Sequence, residues 1–362
     1  MKKCTVFIRK QSSIIFLLLC LLFLGAFCIS CRNTTSAFSN QNKFFKIFQG
    51  TLENDHIVNF YFERNQISDE PDSTLFCVVN DSDKNEPQYL EGTISPQGHF
   101  EFLYDYEDSQ KPLLSGQFIS DSEIEIRYAD TLSKKVFEMN LEELKDKFVI
   151  TPMYYYQGKS AGYLEKTETG ESYSYLGLNI LSFELKDKKV TDKINAVIKK
   201  SVGLRTGQTY DEFIKEKKAL AQESIRFGLC YSENDIVTLQ KSYFSRCSDC
   251  PQTDVEITYI NFDIKSNKEI VLDDIFSKKE IKVLEFLCEN KFREKYELDD
   301  SSVKNFYLPK DFGLYRNGIT FILQPYNNGI DSFNNDVMDI FIPYSEVEVL
   351  MNKTDLTKRL IH

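Results

Sequence analysis

Seven short runs between residues 44 and 148 alternate apolar and polar side chains: "FKIFQGTLE", "HIVNFYFE", "STLFCVVN", "QYLEGTIS", "HFEFLYDY", "LLSGQFIS" and "EIEIRYAD". In the second of them, Ile57, Asn59 and Tyr61 oppose Val58, Phe60 and Phe62. A period of two places successive side chains on opposite faces, so these runs are strands with one buried side. Turn residues such as Asn80-Asp81-Ser82 and Pro96-Gln97-Gly98 separate them at about ten-residue spacing, which predicts an antiparallel meander closing into a sandwich or barrel. "EGTIS-QGHFEF" and "SGQFIS-SEIEI" look like loose repeats of one hairpin. Gly92 and Gly116 stand near strand starts in them, where a bulge would help the sheet curl.

The N-terminus fixes the compartment. Lys2, Lys3, Arg9 and Lys10 precede an uncharged apolar run at residues 14–29, the layout of a secretory signal peptide. The run ends at Cys28-Ile29-Ser30-Cys31, which resembles a bacterial lipobox. Ser30 fits that pattern and Cys28 departs from it. The expectation is a signal peptide over residues 1–30, lipidation of Cys31, and a polar tether over 31–43; the alternative is an uncleaved N-terminal anchor. The rest of the chain is then extracytoplasmic, held to the membrane of the cell envelope.

Loss of residues 1–30 removes four basic and no acidic residues from a chain with 44 basic and 55 acidic ones, leaving a net charge near −15. Such a surface repels nucleic acid and anionic lipid and attracts cationic partners, besides keeping a tethered protein soluble. More than 300 mature residues exceed one core, so two domains are expected, at 44–148 and 149–362.

The second region mixes elements without regular alternation. "YLGLNILSFEL" reads as a strand, followed by a helix with Ile194, Val197, Ile198 and Val202 on one face. Thr209 with Glu212 predicts a capped helix running through Ile225, and Ser277 with Glu280 predicts another, whose core stripe is Ile281, Leu284, Leu287, Cys288 and Phe292. "DIVTLQKSYF", "VEITYINFDI", "ITFILQ" and "VMDIFIPY" are further strands, and a last helix begins near Ser345. The fold class expected is α+β: an antiparallel β meander or barrel followed by a mixed sheet with flanking helices.

Three ordered motifs carry a family resemblance. "ITYINFDIKSNKEIVLDDIF", "FGLYRNGITFILQPYNNG" and "IFIPYSEV", with the "NAVI" helix around Asn195, are similar to the C-terminal domain of the RsiV family of lysozyme-sensing anti-sigma factors. That domain also accompanies peptidoglycan deacetylases and occurs in envelope lipoproteins. The resemblance spans about residues 170–350 and implies an extracytoplasmic domain that binds a protein, lysozyme among the candidates, or a wall component, without implying catalysis. The chain departs from the family at residues 245–251, "SRCSDCP", where members often carry a glycine-rich turn with a histidine. Anti-sigma activity is not expected, because thirteen residues before the apolar run leave no room for a cytoplasmic domain.

Residue chemistry narrows the enzymatic alternatives. The three histidines are His56, His99 and the last residue, His362, so the body of the second region offers no proton shuttle for a Ser-His-Asp or Cys-His arrangement. No HExxH or paired-histidine spacing indicates zinc, and "DSFNNDVMD" lacks the spacing of a calcium loop; no metal or cofactor is expected. Carboxylate chemistry on the cell wall stays open. Asp273 and Asp274, read as neighbours on a strand, would point to opposite faces, and fit better as a cap of the following helix or as solvated side chains. Cys247 and Cys250 are read as a local disulfide or as two free thiols, and Cys288 as a buried thiol. In "PYNNG", Pro325 stops a strand and residues 327–329 tolerate positive φ. Tyr326 is the recognition candidate there, or else a ring that plugs the corner. The functions carried forward are a non-catalytic binding lipoprotein for a protein or glycan, a carboxylate-dependent wall enzyme, and a structural envelope lipoprotein.

Overall fold

The structure is a computed structural model that describes residues 43–52, 56–65, 73–81, 87–102, 113–129, 134–145, 148–158, 175–217, 222–246, 253–298, 306–324 and 337–361. The fold is α+β. Its first part is a single antiparallel sheet of eight strands in chain order: β1 (Lys43–Thr51), β2 (Ile57–Asn65), β3 (Ser73–Asp81), β4 (Gln88–Ile94), β5 (His99–Phe102), β6 (Leu114–Phe118), β7 (Glu123–Ala129) and β8 (Val136–Glu142). The sheet closes on itself just past β8, where Glu143 bridges Phe48 and the Leu144 N–H donates to the Ile47 carbonyl at 2.8 Å.

The alternation in "HIVNFYFE" does what the period predicts. Val58, Phe60 and Phe62 point into the barrel, where the two phenylalanines meet Phe48, Phe100, Phe102, Phe118 and Tyr128 in edge-to-face and tilted contacts. An eight-stranded barrel is just wide enough for side chains to fill it, and here aromatic rings do so. The strand register runs without a slip at Gly92 and Gly116, which corrects the expected bulges. Their role is close approach: a Cβ would lie 2.1 Å from the Glu101 carbonyl oxygen at Gly92 and 2.2 Å from that of Glu125 at Gly116, with Phe102 and Phe100 rings over the gaps. The eighth strand escapes the sequence reading because it lies open to solvent; only Leu141 along it is buried.

A second sheet has the order β14-β13-β12-β11-β10-β9. It comprises β9 (Phe148–Gly158), β10 (Tyr175–Leu185), β11 (Gln222–Glu233), β12 (Ile236–Arg246), β13 (Thr253–Asp263) and β14 (Lys268–Glu269). Strands β10 and β11 run parallel and all other neighbours antiparallel. Strand β9 was not foreseen, because Pro152 interrupts it; as the edge strand it tolerates the missing N–H. The parallel pair is joined through helices α1 (Lys188–Val202) and α2 (Tyr210–Glu216), whose buried residues Val190, Ile194, Ile198, Val202, Tyr210 and Ile214 cover one face of the sheet. The Thr209–Glu212 capping box forms, with the Thr209 N–H donating to Glu212 Oε2 at 2.8 Å and the Glu212 N–H to Thr209 Oγ1 at 3.2 Å. The helix nevertheless stops at Glu216, and Ile225 lies in β11, not in a helix as expected; "ESIRFGLCY" alternates with period two, and strand pairing overrides the helix signal.

A third sheet, β15 (Asp311–Leu314), β16 (Gly318–Leu323) and β17 (Met338–Pro343), stands apart from the mixed sheet that these strands were expected to join. Helix α4 (Lys278–Tyr296) packs on it through Leu284, Cys288 and Phe292. Between the second and third sheets lies the one-turn helix α3 (Leu272–Ile275), and α5 (Tyr344–Val347) with α6 (Asp355–Ile361) ends the chain. Asp273 and Asp274 therefore sit on helix α3 and not on a strand; Asp274 Oδ2 accepts from the Val271 N–H at 3.1 Å and its Oδ1 from Lys268 Nζ at 2.6 Å, so it caps.

Candidate ligand-binding cleft

The face of the second sheet opposite α1 and α2 is shared. Barrel residues Ile47, Tyr61 and Val78, which point outward, join the core of the second sheet. Further along the same face, Asn261 of β13 fastens the third sheet: its Nδ2 donates to the Phe312 carbonyl at 2.7 Å and its Oδ1 accepts from the Leu314 N–H at 3.0 Å. Glu233 ties the pieces together, accepting from Asn59 Nδ2 of the barrel at 2.8 Å and from Arg316 Nε beside the third sheet at 3.0 Å.

Between the barrel and the sheet a cavity of about 170 Å³ remains. The barrel side contributes Phe45, Tyr61, Glu63, Phe76, Val78 and Tyr89, and the sheet contributes Arg226, Gly228, Leu229, Gln240 and Ser242. Pairing of Asn179 with Arg226, Arg226 with Ser242 and Gly228 with Gln240 puts Arg226, Gly228, Gln240 and Ser242 on one face, while Leu229, paired with Leu239, belongs to the other. An added Cβ at Gly228 would meet nothing within 4 Å, so this glycine leaves the space open.

Two charges stand in the cavity wall. Glu63 is almost wholly buried, and its Oε1 accepts from Asn179 Nδ2 at 2.6 Å. Arg226, with 35% of its side chain exposed, lies flat on Phe76 with Cζ 3.2 Å from the ring centroid, a cation–π contact. Its Nη2 is 3.9 Å from Glu63 Oε2, longer than a hydrogen bond, so the charges sit side by side without a fork-to-fork contact. Burial pushes the Glu63 carboxyl above the ordinary carboxylate range, and the neighbouring Arg226 and the Asn179 hydrogen bond offset only part of that.

Beyond the charges lies a polar aromatic knot. Tyr89 leaves 46% of its surface exposed, yet its hydroxyl reaches in to 3.1 Å from Cys230 Sγ. Behind it the Tyr315 hydroxyl donates to the Tyr259 hydroxyl at 3.0 Å, which also accepts from Gln240 Nε2 at 3.3 Å. Burial pushes the Cys230 thiol up to about 12 and holds Cys77 and Cys288 up as well. A thiol held protonated is a poor nucleophile, so these three cysteines are packing groups. Among the described residues, no cluster of three His, Cys, Asp or Glu side chains has metal-site geometry. The cleft presents rings for apolar contact, a buried acceptor and a partly open guanidinium.

Cys31, Cys247, Cys250 and Tyr326 all lie outside the described residues. Of the cavity residues the sequence places only Tyr61, as one of the side chains facing away from Val58, Phe60 and Phe62, and it assigns it no role in a site. Glu63 is legible only as a polar member of an alternating strand, and Arg226 follows directly on a segment whose sequence predicts a helix through Ile225; their meeting depends on strand β11 and on the docking of the barrel. Among the described residues, no helix is long and apolar enough to cross a membrane.

No family model matches the chain, and no curated protein matches it. Solved structures do. A member of the DUF3298 family from Bacteroides fragilis NCTC 9343 is 16% identical over 60% of this chain and 99% of its own, with a TM-score of 0.47. A DUF3298 family protein from Pseudomonas aeruginosa PAO1 is 12% identical over 59% of this chain and 97% of its own, with a TM-score of 0.45.

Proposed function

We propose that this chain is a lipid-anchored, extracytoplasmic binding module of the cell envelope that holds a protein ligand and carries out no catalysis. The observation that carries the reading is the convergence of Tyr61, Phe76, Tyr89 and Arg226 on one cleft between barrel and sheet. Tyrosine and arginine are the residue types that most often dominate binding energy in protein interfaces, above all where a pocket surrounds them. The net charge near −15 of the mature chain favours a cationic ligand, and the resemblance to the lysozyme-sensing family makes lysozyme the first to try. Burial of the thiols and the pairing of Glu63 with a guanidinium support binding over covalent chemistry.

The test is retention of a basic lysozyme by the full chain, purified in detergent, at low and at moderate salt. Retention at both, weaker at moderate salt and reduced about tenfold or more by Tyr89→Ala, is expected. Absence of retention at either salt overturns the lysozyme reading. Retention on purified peptidoglycan alone would move the ligand to the wall glycan, and release of soluble wall fragments would overturn the non-catalytic reading.

A further inference from the structure

We propose that the cavity between the barrel and the second sheet is a receptor for a small α-amino acid, bound as the zwitterion with its ammonium on Glu63 and its carboxylate on Arg226. The inference goes beyond the protein-binding reading, since the cavity fills without a protein ligand; either proposal can fail while the other stands.

The charge pattern selects the guest. Glu63 Oε2 and Arg226 Nη2 are 3.9 Å apart and not hydrogen-bonded to each other, so each keeps capacity for a further partner. A lone anion drawn to Arg226 would be repelled by Glu63 at nearly the same range, and by Glu91, whose charge also acts on Arg226. A lone cation drawn to Glu63 would be repelled by Arg226. A guest with both charges set in the opposite order meets two attractions and no net repulsion. An α-amino acid carries ammonium and carboxylate on one carbon, with roughly 3 Å between nitrogen and the nearer carboxylate oxygen from the N–Cα–C geometry. That spacing is short enough for both groups to reach the pair in the wall, which lies 3.9 Å apart.

The walls set the size. A cavity of about 170 Å³ is smaller than the roughly 300–1,000 Å³ pockets of drug-sized ligands, and admits a small side chain. Tyr61 and Phe76 give it apolar contact, while Gln240 and Ser242 add polar groups on the sheet side. The fixed partners make the receptor rigid: Asn179 holds one oxygen of Glu63, and Phe76 holds the plane of Arg226. Groups held in place before binding lose little freedom when the guest arrives.

Titration calorimetry on the full chain in detergent, with glycine, L-alanine and D-alanine set against propionate and ethylamine as the two separated charges, decides the matter. At least one amino acid is expected to bind saturably, with both single-charge probes at least tenfold weaker. Glu63→Gln and Arg226→Gln should each weaken the amino acid tenfold or more. Gly228→Leu, which fills the space above that glycine, should abolish binding; Ser242→Leu, from the neighbouring strand, serves if the first variant does not fold. Equal binding of the single-charge probes, amino-acid binding unchanged in the filled variant, or no saturable binding by any of the three amino acids overturns the proposal.

Discussion

Asn195 of α1 holds the backbone of Phe183 in β10 by both of its polar groups: the Phe183 N–H donates to Asn195 Oδ1 at 2.9 Å, and Asn195 Nδ2 donates to the Phe183 carbonyl at 2.8 Å. The last β11 partner of β10 is reached at Asn179, so beyond that point the side-chain amide takes the place of a neighbouring strand. Asn195→Ala leaves a backbone donor and acceptor without that partner, and should cost about 2 kcal/mol. Urea unfolding of variant and parent checks it, and Asn195→Asp should not restore the loss, because a carboxylate cannot donate to the Phe183 carbonyl.

Glu63 and Asp263 respond to pH in opposite directions. The folded-state carboxyl of Glu63 is raised from 4.5, so folding binds its proton more tightly than the unfolded chain does. Stability from this group is greatest at low pH and declines as pH rises from about 4.5 through the folded value. The stability of the parent relative to Glu63→Gln should therefore fall over that window; a constant difference, measured by urea unfolding between pH 4 and 8, would refute the assignment.

For Asp263 burial alone would push the carboxyl up, but Arg359 Nη2 at 2.7 Å, Ser266 Oγ at 2.7 Å and the attached Arg359 charge together hold it below 3.8. Its contribution is present above about pH 4 and is lost as pH falls through the depressed folded value. Asp263→Asn should cost about 2–3 kcal/mol at neutral pH, and the gap to the parent should close on acidification.

Two glycines separate crowding from space. At Gly92 a Cβ would lie 2.1 Å from a carbonyl oxygen and 2.7 Å from the Phe102 ring, so Gly92→Ala must shift the barrel wall and should lose about 3 kcal/mol. Gly228→Ala enters open space and should leave stability within about 1 kcal/mol of the parent. Thermal melts of the two variants side by side are the measurement; equal losses would contradict the close approach at β4.

Much of the architecture is local and therefore legible in the chain. Alternation in "HIVNFYFE" sorts Val58, Phe60 and Phe62 into the barrel whatever lies outside it, because side chains on a strand must alternate. The helix stripe of Leu284, Cys288 and Phe292 follows from 3.6-residue spacing in the same way. Where local signals compete the reading fails: the capping box at Thr209 is real, but pairing of β11 with β10 and β12 ends the helix at Glu216. Asn195, Asn261 and Gln324 stand inside the motifs that carry the family resemblance, and in the structure they are amides that bond backbone groups of neighbouring elements. Their presence is visible in the sequence; what they hold is not.

The cleft belongs entirely to tertiary structure. Asn179 and Glu63 are 116 positions apart in the chain, and Asn80 meets the Cys230 carbonyl across 150. By itself the sequence determined which faces are apolar, where most strands turn and the acidic balance, since each is written in composition or in neighbours a few residues away. Only the docking of the barrel on the second sheet decided that Glu63 is buried beside Arg226 and that Gly228 opens onto a cavity. Burial and electrostatic pairing depend on distance in space, and no periodicity along a chain encodes that distance for strands so far apart.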